Sequence, residues 1–308
     1  MRIVFIGQAP FGRESLEALL SQGEKVVGVI TVEDVPNQKY PNPVKECAID
    51  NDIELYQANY LKKAEAIVWV NELEPDLLVL GFVTAFVPLE MIEIARLGGI
   101  NYHPSLLPKY RGGSAINWAI ISGETETGVT IHYIDEGVDT GPILLQEKVE
   151  ITPDDTVKSV YFKKLYPLGI KMIAEAVRLI REGGAAPVEQ DESTASFQPV
   201  ITAADTVIDW TLPNKKIYNL IRGANPSPGA VTALHGQSCK IFDAQVGSSP
   251  GTPGTVTDVG EDSFTVATGD GSITILSAQP PGQRKQPAEE FIATLGVKAG
   301  DRFTSQAQ

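Results

Sequence analysis

The chain has 308 residues, 43% of them hydrophobic and 21% charged, with a formal net charge of −14. That length accommodates a full enzyme core and a second domain, and no apolar run approaches the 18 or so residues of a membrane span. Residues 201–308 hold eight Lys/Arg against ten Asp/Glu, so −12 of the charge falls on the first 200. No basic stripe of the nucleic-acid-binding kind is visible, which argues against a large polyanionic partner.

Residues 2–7 read as a buried parallel strand, because the apolar run is too short for a secretory core and no cleavage site follows. Residues 13–21 suit a short helix, and 25–31, rich in Val and Ile, a second strand. A helix is expected over 44–50 and a third buried strand over 77–82. Residues 100–103 form a strand end stopped by Pro104, which cannot continue a ladder. After Arg111-Gly112-Gly113 a helix is expected over 115–122, then an alternating strand over 127–134. Apolar positions predict a long helix over 156–182, kinked at Pro167 and stopped by Gly183-Gly184. Strands alternating with helices predict an α/β fold, a doubly wound, mostly parallel Rossmann-like sheet over residues 1–184. Residues 185–206 read as a linker. Short β runs at 230–234, 239–246, 254–259, 263–267 and 272–278, after a short helix over 216–222, predict a small open β-barrel of OB-like type over 207–308.

Along a strand, side chains alternate, so Asn101 and His103 share one face and Tyr102 takes the other. A carboxamide and an imidazole therefore stand together at the carboxyl edge of the sheet, where open α/β folds bind ligands. Gly137-Val138-Asp139-Thr140-Gly141 adds an acid on a glycine-flanked turn. Such a set can move protons and steady a developing oxyanion. Cys47 and Cys239 lack zinc or disulfide spacing, and the three histidines lack ligand spacing, so no metal site and a reduced, cytoplasmic setting are expected. Gly7 to Gly12 lacks the Gly-x-Gly-x-x-Gly spacing of a dinucleotide loop and contains Pro10.

Asn101-x-His103, then Ser105-Leu106-Leu107-Pro108, then Asp139 lying 38 residues after Asn101, resembles the 10-formyltetrahydrofolate-dependent formyltransferases. The family includes enzymes acting on methionyl-tRNA and on glycinamide ribonucleotide, and a related hydrolase domain. The resemblance extends over nearly the whole chain, since Val207-Ile208-Asp209-Trp210 and 217–230 resemble the entry to the tRNA enzyme's second domain. It implies 10-formyltetrahydrofolate as formyl donor, with His103 as general acid/base and Asn101 as oxyanion donor. Asp139 would raise the His103 pKa towards neutral or above and organise the nucleophile. Backbone groups of Ala85, Phe86 and Val87 would bind the pteridine ring. Ser105, Leu106, Leu107 and Pro108, with Asp139, would line the folate cleft, although Leu106 reads equally as core. His132 matches a second histidine of the glycinamide enzyme or is a packed strand residue, and His235 reads as surface. Arg111 either holds an anionic substrate group or forms a loop.

The match has departures. Where the tRNA enzyme carries a basic, glycine-rich loop, this chain has 32–40, with Glu33 and Asp34 against Lys39. Ser227 stands where that enzyme usually shows an aromatic residue. Gly7-Gln8, Tyr102-His103-Pro104 and 114–118 resemble the hydrolase domain, which nevertheless carries an apolar residue at the Asn101 position. Asn101 thus points to transfer onto an amine, and hydrolysis to formate is the alternative. The expected acceptor is charged initiator methionyl-tRNA, or else a small amine such as an amino sugar or amino acid. Phosphate contacts would fall to Lys109 and Arg111 and to Lys215, Lys216, Arg222, Lys240, Arg284 and Lys285.

Overall fold

The computed structural model describes residues 1–305, which gather into two compact units. The first comprises Met1–Gly112, Gly128–Val149 and Lys163–Phe197; the second comprises Gly113–Thr127, Glu150–Phe162 and, among the described residues, 198–305.

The first unit is built on β1 (Arg2–Gly7), β2 (Lys25–Thr31), β3 (Glu54–Gln57), β4 (Leu77–Gly81), β5 (Gly99–His103), β6 (Glu126–Tyr133) and β7 (Ile143–Glu150), in the order β3-β2-β1-β4-β5-β6-β7. Strands β1 to β5 run parallel, and β6 lies antiparallel to β5. This is the expected doubly wound sheet, its strand order reversing between β1 and β4. Strands β1 and β4 are buried almost throughout, which is why they read as continuous apolar runs. Strands β3 and β7 and the helix Ala64–Glu72 carry no clear signal in the sequence. Strand β3 has only four residues, and β3 and β7 are the sheet's two edges, so neither carries the apolar run of a central strand.

Tyr102 faces away from Asn101 and His103, as alternation requires. It packs against Phe11 with ring centroids 4.5 Å apart and the ring planes tilted by 38°. The helix Tyr166–Glu182 closes over this pair at Gly169, where an added Cβ would fall 2.4 Å from the Tyr102 ring and 3.0 Å from the Phe11 ring. That helix ends at Gly183, in the left-handed conformation expected of a glycine stop. The expected single helix over 156–182 is instead interrupted by one wide turn, Tyr161–Leu165. Pro167 has no N–H to give the carbonyl of residue 163, so the regular ladder cannot pass through this point.

The second unit carries β8 (Ala230–Leu234), β9 (Gln237–Gly247), β10 (Val256–Val259), β11 (Phe264–Ala267), β12 (Ser272–Gln279) and β13 (Phe303–Thr304), antiparallel in the order β10-β11-β12-β9-β8-β13. This curled sheet is the expected open barrel. Phe264 is sandwiched between Phe291 and Phe303 at 5.7 Å each. Trp210 donates from Nε1 to Thr232 Oγ1 at 3.0 Å. Arg222 departs from expectation as a phosphate contact: it is buried, and Nη1 donates to the Thr152 and Asp155 carbonyls at 3.2 and 3.0 Å. Its charge is spent inside the unit.

Gly169→Ala separates packing from propensity. Alanine favours a helix by about 0.5–1 kcal/mol, yet overpacking a rigid aromatic pair costs about 1–3 kcal/mol. Urea melts should show a net loss of stability; a more stable variant would mean that the Tyr102–Phe11 pair yields easily.

Candidate active site

Strand pairing assembles the site. Asn101 lies opposite His132, and His103 opposite Thr130, in the β5–β6 register. An antiparallel partner thus places a second imidazole beside Asn101 on the same face. Asn101 Nδ2 lies 3.3 Å from His132 Nε2 and 3.4 Å from Asp139 Oδ1. Asp139 Oδ1 stands 3.4 Å from His132 Nε2, and its Oδ2 stands 3.4 Å from His103 Nδ1. The Gly112 N–H donates to the same Oδ2 at 2.9 Å. All three residues singled out in the sequence are therefore brought together, and His132, left open there, joins them. The signal for it was available in the alternation of 127–134, once that strand is paired antiparallel with β5.

Each imidazole is anchored on a carbonyl. His103 Nε2 donates to the Tyr110 oxygen at 2.8 Å, and His132 Nδ1 donates to the Tyr133 oxygen at 2.7 Å. Because a carbonyl only accepts, those nitrogens carry the protons, and Nδ1 of neutral His103 presents a lone pair towards Asp139. Burial holds the His103 pKa below its ordinary value, outweighing the pull of the Asp139 charge and of the Tyr110 carbonyl. The expectation that Asp139 lifts it is thereby corrected: desolvation of an almost fully buried ring exceeds the carboxylate's attraction. Asp139 behaves differently. Burial, the largest influence on it, pushes its pKa up. The neighbouring His132 and His103 rings and the Gly112 N–H together overcome that push and bring it down to about 2.

At neutral pH the site therefore holds an ionised carboxylate against a neutral imidazole with a free Nδ1. A proton arriving there creates an imidazolium already facing its counter-ion. Such an arrangement can serve as a general base with built-in charge compensation, with the Asn101 amide as a donor alongside.

The segment 105–108 is held by its own network. Thr130 Oγ1 donates to the Ser105 carbonyl at 2.7 Å and accepts from the Leu107 N–H at 3.3 Å, while Gln146 Nε2 donates to the Leu107 oxygen at 2.9 Å. The Ser105 hydroxyl donates to the Lys109 carbonyl at 2.7 Å. Ser105 and Leu107 are buried, whereas Leu106 and Pro108 are half-buried. Thr130 and Gln146, which fix this loop, gave no recognisable motif. Ala85 lines a cleft with Gly7, Gln8, Ile30 and Val83 at the carboxyl ends of the central strands. Phe86 is exposed under the Lys62 ammonium, and Val87 packs in the core. The backbone groups of Ala85 to Val87 engage no partner among the described residues, which suits them to meet a polar heterocycle. Arg111 is committed: it is buried, with Nη2 2.6 Å from Glu192 and 2.8 Å from Gln190.

The Asp139 shift ties the site to stability. A carboxyl that falls from 3.8 unfolded to about 2 folded contributes about 2 kcal/mol, fully present above pH 4 and lost as pH falls towards 2. His103, also lowered from its ordinary 6.5, adds a loss that begins as pH drops below that value. Acid unfolding of the wild type and of Asp139→Asn should diverge above pH 4 and converge near pH 2; parallel curves would place the charge elsewhere.

Comparison with known proteins places the chain in a family. A family model described as formyl transferase matches residues 1–177, and one described as formyl transferase, C-terminal domain, matches residues 200–296. Methionyl-tRNA formyltransferase of Trichlorobacter lovleyi is 38% identical, over 95% of this chain and 93% of its own. The enzyme of the same name from Symbiobacterium thermophilum is 38% identical, over 99% and 95%. A Helicobacter canadensis N-formyltransferase, solved with folinic acid and dTDP-3-aminofucose, shares the fold with a TM-score of 0.69 at 22% identity, over 90% of this chain and 98% of its own. With its N-terminal half, its C-terminal domain and its full-length relatives all matched, the chain belongs to the formyl transferase family, enzymes of one-carbon transfer.

Proposed function

We propose that this protein moves the formyl group of 10-formyltetrahydrofolate onto the amino group of methionyl-tRNA. The observation that carries the chemistry is the Asp139 carboxylate held 3.4 Å from both His103 Nδ1 and His132 Nε2, beside Asn101. The acceptor is supported by full-length relatives named for methionyl-tRNA. Ala85 to Val87 and the loop 105–108 would hold the folate.

In this reading His103 Nδ1 takes the proton that the amine loses as its nitrogen bonds to the formyl carbon. Asp139 stabilises the imidazolium so formed, and Asn101 donates to the formyl oxygen as it gains negative charge. When the carbon–nitrogen bond to the folate breaks, its electron pair goes to the folate nitrogen, and His103 returns the proton there. Amine and formyl-folate become formamide and tetrahydrofolate, and the enzyme ends unchanged. Removal of an oxyanion donor such as Asn101 costs about 10²–10³ in kcat.

Exposed Lys215, Lys216, Arg284 and Lys285, with Lys109 in the first unit, are the cations proposed to meet phosphate. The half-buried Lys240 is tied to the Pro228 carbonyl at 2.8 Å and ranks behind them. Both cysteines are free and buried, and a cytoplasmic setting is proposed on that basis. No helix among the described residues is long and apolar enough to cross a membrane.

The test offers the enzyme and 10-formyltetrahydrofolate three acceptors: water alone, methionyl-tRNA, and a panel of amino sugars and amino acids. Rapid, salt-sensitive formylation of the tRNA is expected, weakened by charge reversal at Arg284 and Lys285. His103→Ala, Asp139→Ala and the double variant should lose activity to a similar extent, as parts of one unit. Equal turnover with water would favour hydrolysis, and salt-independent turnover of a small amine would replace tRNA as the acceptor.

A further inference from the structure

The Asp139 turn has a support outside both matched segments. Residues 178–199 lie between the two family models, and Gln190 within them is buried. Its Nε2 donates to the carbonyl oxygens of Asp139 and Gly141 at 2.9 and 2.7 Å. Its Oε1 accepts from Arg111 Nε and Nη2 at 3.1 and 2.8 Å. Both donors and both acceptor directions of this carboxamide are thus engaged. Arg111 is held in turn by Glu192, with Nη1 and Nη2 at 2.9 and 2.6 Å from its carboxylate oxygens.

The contacts close a ring around the aspartate. Arg111 precedes Gly112, whose N–H grips the Asp139 carboxylate, while Gln190, bound to Arg111, grips the Asp139 backbone. Side chain and main chain of one residue are therefore fixed from the same short element. The turn needs such support, because Asp139 sits at φ 55°, a left-handed conformation disfavoured for a residue with a Cβ. Gly141 is equally constrained, since an added Cβ would lie 1.9 Å from the Tyr133 carbonyl oxygen. Only a side chain that donates on one side and accepts on the other fits between Arg111 and these two carbonyls.

We propose that Gln190 is a positioning residue for formyl transfer, holding the Asp139 backbone so that its carboxylate stays aimed at His103 and His132. This rests on the role given to Asp139 above. Glutamate at position 190 would still accept from Arg111 but would turn lone pairs towards the Asp139 and Gly141 carbonyls. Gln190→Glu therefore removes the grip on the turn and spares the grip on Arg111.

The experiment compares wild type, Gln190→Glu, Gln190→Ala, Asp139→Asn and the Gln190→Glu/Asp139→Asn double variant, in the full chain with 10-formyltetrahydrofolate and methionyl-tRNA. Gln190→Glu should lower kcat about 10–100-fold, the scale of misplacing a catalytic group by about an ångström. KM for the folate should stay within about threefold, near-UV circular dichroism should be unchanged, and the acid limb of kcat should move to lower pH, because the carboxylate that raises the His103 pKa turns away from it. The double variant should be no slower than Asp139→Asn. Wild-type kcat in Gln190→Glu while Asp139→Asn is inactive overturns the proposal. Additive losses in the double variant, or unfolding of Gln190→Glu, overturn it equally, because they assign Gln190 to the fold. A fully active Asp139→Asn would instead overturn the underlying role of Asp139.

Discussion

A carboxylate taken out of water stays charged only if its neighbours replace the water, and the whole site follows from how Asp139 meets that condition. Two imidazoles, an amide and a backbone N–H surround it. To bring them there, β6 must pair antiparallel with β5, and the turn after β6 must fold back over the strand ends. The antiparallel pairing of β6 on a parallel sheet thus serves the chemistry of this site as well as being a topological feature. It supplies His132 directly opposite Asn101, which no further parallel strand in the same register would do.

The same burial that threatens the carboxylate disarms the imidazole. His103 is held neutral because its ring is buried more completely than Asp139 can compensate. A base must be unprotonated to act, and a buried neutral base facing an ionised partner gains its charge at the moment of reaction. The opposite arrangement, an imidazolium in the resting site, would lend a proton to the formyl oxygen but could not take one from the amine.

The parts of this legible in the sequence were those carried by local chemistry. Pro104 after His103 marked the strand end, alternation put Asn101 and His103 on one face, and the glycines around Asp139 marked its turn. The parallel strands were legible because burial on both faces leaves uninterrupted apolar runs in β1 and β4. What escaped depended on contacts between distant segments. Gln190 sits in a polar stretch that reads as a tether, and its partners are 51 and 79 residues away. Arg111 and Arg222 read as available cations, yet each is buried on acceptors that no local pattern reveals. The sign of the His103 shift was equally hidden, because spacing shows the carboxylate beside it but not the depth of burial.

The central claim is that His103 rests as a neutral base with its proton on Nε2, and nitrogen NMR of the histidine rings tests it most directly. With His103 assigned by substitution, its Nε2 should carry the proton throughout, and its Nδ1 should remain unprotonated at pH 6.5 and titrate only below that value. An Nδ1 already protonated at neutral pH, or titrating above 6.5, would contradict the account and make His103 an acid in the resting enzyme.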